Sequence, residues 1–213
     1  FDQGAWMHFP VSVPAGGTVN ITADRTAGPN VLVNGLFLGG AGAPPMPGPG
    51  PAYDAGAQGD WVGAYGSTGY VLAAWNNQTD VVSLPTGTTS TLVQGSRTLW
   101  ATTTDKRAVE NPAQTTRKAA AYKHGSQVKV RLTFTAAYGG MLSLYLLDWD
   151  STARRATVTV DDGSGPKTIG LTTDFNAGAW LSFPINVSAG GTVNVTVAKT
   201  AGSGAVLSGL FLD

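Results

Sequence analysis

Residues 147–155 read LDWDSTARR, so two carboxylates, an indole and two guanidinium groups lie within one short stretch. Asp148 and Asp150 flank Trp149 at the end of an apolar run, and Arg154 and Arg155 open the next run. Carboxylate oxygens suit a hard cation such as calcium, and acids paired with a guanidinium can hold hydroxyl groups. An Asp–Arg pair that merely fixes the turn uses the same residue types. Residues 99–112, LWATTTDKRAVENP, add Trp100, Asp105 and Arg107 where a strand-like run gives way to an irregular loop. Residues 70–80, YVLAAWNNQTD, set Trp75 before three amides, Asn76, Asn77 and Gln78. An indole face beside amides or acids suits a pyranose, which offers an apolar C–H face and a rim of hydroxyls. The candidate ligand-binding residues are therefore Trp75, Asn76, Trp100, Asp105, Arg107, Trp149, Asp150 and Trp180. Asp148 and Asp150 are the candidate calcium ligands.

Catalytic patterns are sparse. The chain has one glutamate, Glu110, and two histidines, His8 and His124. A nucleophile–histidine–acid arrangement would have to use His124, which sits in the turn-like AAYKHGSQV. No G-x-S-x-G, H-E-x-x-H or phosphate-cradling glycine loop occurs. We expect no enzymatic activity. With no cysteine, disulfides and thiolate metal sites are excluded.

These side chains must be positioned by strands. Val128, Val130, Leu132 and Phe134 alternate with Lys129, Arg131, Thr133 and Thr135, and Ala156, Val158 and Val160 alternate with threonines. Val193, Val195 and Val197 alternate with Asn194 and Thr196. This period of two predicts strands with one buried face. Turn signals separate them: AAYGG at 136–140, DDGSGP at 161–166, SAGG at 188–191 and AGSG at 201–204. At most a single helical turn is expected, near Lys106–Glu110. Many short strands at this spacing predict an all-β, antiparallel, two-sheet sandwich of the jelly-roll kind. In AWLSFPINV, Leu181, Phe183, Ile185 and Val187 share one face, which leaves Trp180 on the other. Trp180 is therefore expected to point outward or to cap the sandwich end.

The chain also repeats itself. Residues 1–39 match residues 175–213 without gaps, with 21 of 39 positions identical at an offset of 174. We read 1–39 as the C-terminal part of a preceding 174-residue unit, 40–59 as a Gly/Pro-rich linker, and 60–213 as a complete sandwich module. A tandem array is the expected parent, of which this chain is a piece or processed product. The strands of 1–39 expose Met7, Phe9, Val11 and Val13, so they are expected to pack with another chain. Thirteen basic and thirteen acidic residues balance, and only 12% of residues are charged, so no basic patch points to nucleic acid. No apolar run reaches the roughly 18 residues of a membrane span.

The runs VKVRLTFTAAYGGMLSLYLLDWDSTARRATVTVDDG and GAWLSFPINVSAGGTVNVTVAKTAGSGAVLSGLFLD resemble the second half of a malectin-like, galactose-binding-type jelly roll. The resemblance covers roughly residues 126–213 and lies in strand order and pattern. It implies a carbohydrate-binding module of the kind appended, often in tandem, to secreted bacterial proteins. It implies glycan as partner, an extracellular or cell-surface location, and a ligand site in loops at one end of the sandwich. That favours Trp75, Trp100, Asp105, Arg107, Trp149 and Asp150. The alternative reading is a structural module that self-assembles into extracellular fibres or adhesin arrays through strand complementation between chains.

Overall fold

The alternation over 127–134 becomes a strand whose Val128, Val130, Leu132 and Phe134 are all essentially inaccessible to solvent. The same holds for the inward valines of the next strands in the alternating series, Val158, Val160, Val193 and Val195, and for Leu144, Leu146 and Phe183. The computed structural model describes residues 52–54 and 58–213, together with positions 18, 20–24, 26, 33 and 35. The expectations for Met7, His8, Phe9, Val11 and Val13, and for the packing of that segment on another chain, lie outside the described residues.

In chain order the strands are β1 (Ala52–Asp54), β2 (Gly69–Asn76), β3 (Thr79–Ser83), β4 (Thr88–Gln94), β5 (Ser96–Thr103) and β6 (Val109–Glu110). They continue with β7 (Arg117–His124), β8 (Gln127–Phe134), β9 (Tyr138–Leu146), β10 (Arg155–Asp161) and β11 (Pro166–Leu171). The last four are β12 (Ala179–Val187), β13 (Thr192–Ala201), β14 (Ala205–Leu207) and β15 (Gly209–Leu212). Among the described residues there is no helix. One sheet runs β1-β12-β9-β15-β2-β3 and a second runs β11-β10-β13-β8-β4. A third, smaller sheet runs β14-β7-β5, with β6 also on β7. Every pairing is antiparallel.

The expected sandwich is therefore present, with a third sheet added. The reason is local. Gly95 stands in a left-handed conformation at φ 133° between β4 and β5, so the chain leaves the second sheet there and starts another. The hairpin AAYKHGSQV links β7 to β8, and His124 Nδ1 accepts from the backbone N–H of Ser126 and of Gln127, each at 3.2 Å. His124 is thus a turn residue. Two contacts fall within the segment expected to be linker. Ala52–Asp54 pairs with Ser182–Trp180 as an edge strand, and the backbone N–H of Gly59 donates to Lys106 O.

The main core lies between the six-stranded and five-stranded sheets and takes in Tyr122 and Ala205–Leu207 from the third. A second cluster covers the other face of the six-stranded sheet: Trp61, Leu72, Val109, Tyr145, Leu147, Trp180 and Phe211. This corrects the expectation for Trp180. The alternation rightly turns it away from the main core, but the far face is not wet. Tyr65 stacks on it at 3.9 Å and 9°, Tyr145 and Phe211 lie at 4.8 and 4.9 Å, and its Nε1–H donates to Gln58 O at 2.5 Å. Trp180 is consequently 1% exposed.

The β10–β11 hairpin is fastened by a buried acid. Asp162 accepts from Lys167 Nζ at 2.8 Å, from the hydroxyl and N–H of Ser164, and from Asn186 N–H on β12. Burial pushes its carboxyl up, but the Lys167 ammonium, the Ser164 hydroxyl and the two amides outweigh this and hold it well below the usual carboxylate range. A depressed folded pKa stabilises the fold fully above the unfolded value of about 3.9, and this contribution is lost as pH falls toward the folded value. Between pH 5 and pH 2 the urea midpoint of the native chain should therefore fall. Asp162→Asn should lower the midpoint at pH 6 and flatten its acid dependence; an equally steep fall in the variant would assign the acid sensitivity elsewhere.

Candidate functional site

Strand β9 ends at Leu146, and the chain turns at Asp148–Asp150 before β10 begins at Arg155. Asp148 and Arg154 inside this turn are 0% and 1% exposed. Asp148 accepts from the Arg154 guanidinium and from Arg154 N–H, and the same guanidinium nitrogen donates to Asp150. The two acids expected to hold calcium thus share an arginine, which supplies their positive charge. Among the described residues, no three acidic or histidine side chains converge as a metal site. The donor set does not fit a calcium ion, and the turn-fixing role is the one realised.

With its base locked, the turn presents Trp149 and Asp150. The Arg107 guanidinium lies 4.8 Å from the Trp149 ring centroid. Arg107 is itself held by Asp105 through Nε and a second guanidinium nitrogen, at 3.0 and 2.8 Å, and donates to Asn176 O. These bonds hold the Asp105 carboxyl low and the Arg107 guanidinium high. On the other side, Trp100 Nε1–H donates to Asp150 at 3.2 Å, Lys123 Nζ lies 3.5 Å from Asp150, and the same ammonium sits 5.6 Å from the Trp100 ring centroid. Burial pushes the Asp150 carboxyl up, but bonding to Arg154 and the charges of Arg154 and Lys123 carry it below its ordinary value. About a third of each side chain remains open to solvent: Asp105 34%, Arg107 30%, Lys123 32% and Asp150 36%. Trp100 and Trp149 are half-buried.

The structure thus gathers Trp100, Asp105, Arg107, Trp149 and Asp150 at one loop end. It does not bring Trp75, Asn76 or Trp180 there. Trp75 packs against the second apolar cluster, donates Nε1–H to Val109 O at 3.0 Å, and carries Lys118 Nζ 4.6 Å from its ring centroid. Asn76 is exposed at the start of the β2–β3 turn. Glu110, the chain's one glutamate, is 2% exposed and bonded by Arg117, Val62 N–H and Gln114.

No protein-family model matches this chain, and no curated protein matches it. Among solved structures it is similar to a family 35 carbohydrate-binding module from an environmental isolate, at 21% identity over 42% of this chain and 66% of that one, with a TM-score of 0.31. It is also similar to a family 35 module from Cellvibrio japonicus, at 13% identity over 59% and 93%, with a TM-score of 0.33. A third is a carbohydrate-binding module of a Cellvibrio mixtus lichenase in complex with cellotriose, at 14% identity over 68% and 96%, with a TM-score of 0.34. The match spans about two thirds of the first of these chains.

Two features escaped the sequence. Lys123 precedes a turn, where a solvated lysine is ordinary, and nothing in the pattern ties it to Trp100 or Asp150. The second is a cavity of about 150 Å³ lined by Thr103, Thr104, Gln114, Thr115, Thr116 and Arg117. Its lining is mostly hydroxyl and amide, and Thr103 Oγ1 accepts from the N–H of Asp105. The TTT run before Asp105 was its signal.

Proposed function

We propose that this sandwich is a non-catalytic carbohydrate-binding module of a secreted or cell-surface protein, and that it takes glycan at the loop end. The observation that carries this reading is a pair of half-buried indoles beside partly exposed charged groups: Trp100 donates to Asp150, and Trp149, next to Asp150 in the chain, lies against Arg107. Indole faces supply apolar surface for the C–H face of a sugar ring. Asp105, Asp150, Arg107 and Lys123 are held in place by one another, so they offer hydroxyl partners with little ordering cost. The resemblance of residues 126–213 to galactose-binding-type jelly rolls points the same way. The test is retention on a polysaccharide panel followed by titration calorimetry. Trp149→Ala should weaken binding by about 1–3 kcal/mol with an unchanged circular-dichroism spectrum. No retention on any polysaccharide would remove the reading.

A structural array is the second reading, favoured by one observation. Residues 179–212, which the first copy repeats, supply β12 through β15 to all three sheets. A segment with that pattern is built to join other strands. Deleting residues 1–39 should then stop growth into long assemblies, as measured by light scattering.

A further inference from the structure

We propose that the chain forms a two-fold dimer by antiparallel pairing of β4 with β4 of a second copy, centred on Ser90. Edge strands ordinarily carry a charge, a proline or too few residues to template another strand. The other strands at sheet margins obey this rule: β1 and β14 have three residues each, β3 carries Asp80, β5 carries Arg97, and β11 carries Pro166 and Lys167. β4 reads TTSTLVQ and has none of these devices over seven residues. Among the described residues it pairs with β8 alone and ends its sheet. Its one irregularity, a register shift between Leu92 and Gln94, lies at its far end and leaves Thr88–Leu92 regular.

Ser90 decides the occupant and the register. It stands opposite Leu132 on the core side of the sheet, and its Oγ is buried without a hydrogen-bond partner. Elsewhere this protein satisfies such hydroxyls across strands. Ser143 and Ser182 are directly paired and bonded at 2.8 Å, and Thr159 and Thr168 likewise at 3.1 Å. An axis through Ser90 would place the two Ser90 hydroxyls opposite each other and repeat that device. It also sets Thr89 against Thr91 of the second copy and Thr88 against Leu92. No charge faces itself across the axis, as a self-complementary interface requires. The joined sheets would set two sandwiches edge to edge.

The chain has no cysteine, so the register can be read by cross-linking in the whole 213-residue chain. Residues directly opposite in an antiparallel pair have Cα atoms about 4.5–5.5 Å apart, within disulfide range. Ser90→Cys should convert to a disulfide-linked dimer under mild oxidation, and Thr91→Cys should not. Sedimentation of the native chain should show twice the chain mass. Thr89→Lys/Thr91→Lys, both on the solvent face, should return it to one chain mass without altering its circular dichroism. Mixing Thr89→Lys with Thr91→Glu should enrich the mixed dimer. A native chain that stays monomeric over the accessible concentration range overturns the proposal. So does a dimer or polymer in which Ser90→Cys fails to cross-link, because that association then runs through another surface, the segment 1–39 included.

Discussion

Trp180→Ala should cost the fold about 3–5 kcal/mol, a large part of the roughly 5–15 kcal/mol that holds a domain together. The indole is 1% exposed and fills the space between Tyr65, Tyr145 and Phe211. None of these rings can follow it readily. Tyr145 is anchored through its hydroxyl to Arg107 O at 2.7 Å, and Gly178, at φ 98°, is where any side chain would strike that hydroxyl. The substitution also strips the donor from Gln58 O, which ties the segment before Trp61 to the sheet. Urea unfolding followed by far-ultraviolet circular dichroism measures the loss. A change within about 0.5 kcal/mol, the scale of a surface substitution, would return Trp180 to the solvent-facing position that its alternation suggests. The effect should reach the candidate site as well, because Tyr145 holds the backbone of Arg107 and Arg107 covers Trp149.

The difference between that expectation and the structure shows what a sequence pattern carries. A period of two states which residues share a face; it does not state what lies against that face. β8, β10 and β13 were legible because one face of each is buried while the other is only partly covered along most of its length. The cover on the outer face comes from residues 58–66 and from Val109, which follow no period and include glycines and turns. At the site, the three stretches were visible as stretches, but their grouping was not. Trp100 and Asp150 meet across 50 residues, whereas Trp75, equally conspicuous beside its amides, is drawn to Val109 and Lys118. Calcium was a fair expectation from two acids around an indole. The deciding fact, that Arg154 turns inward between them, depends on the path of one side chain.

That path makes Arg154 the most consequential polar residue of the site. Arg154→Met should destabilise the fold by about 3–5 kcal/mol, because it leaves Asp148 charged, 0% exposed and without its counter-ion. Asp148→Asn should cost less, because Asp150 still pairs with the Arg154 guanidinium. The double replacement Asp148→Leu/Arg154→Met should behave differently. In the native pair the Arg154 Nε and second terminal nitrogen are buried without partners, and each such donor costs about 1–3 kcal/mol. Removing both ions relieves those costs together with the desolvation of the pair, so the double variant should regain most of the stability that either single one loses. A double-mutant cycle by urea unfolding reads the coupling directly. Additive losses would show that Asp148 and Arg154 do not act as a pair. Affinity should part from stability in the same set of variants. Asp150, 36% exposed, loses its tie to Arg154 in the restabilised double variant, while Trp100 and Lys123 still hold it. Glycan binding should therefore weaken in a protein whose fold is nearly as stable as the native one. Unchanged affinity there would mean that the Asp148–Arg154 lock serves the sandwich alone and does not aim Trp149 and Asp150 at a ligand.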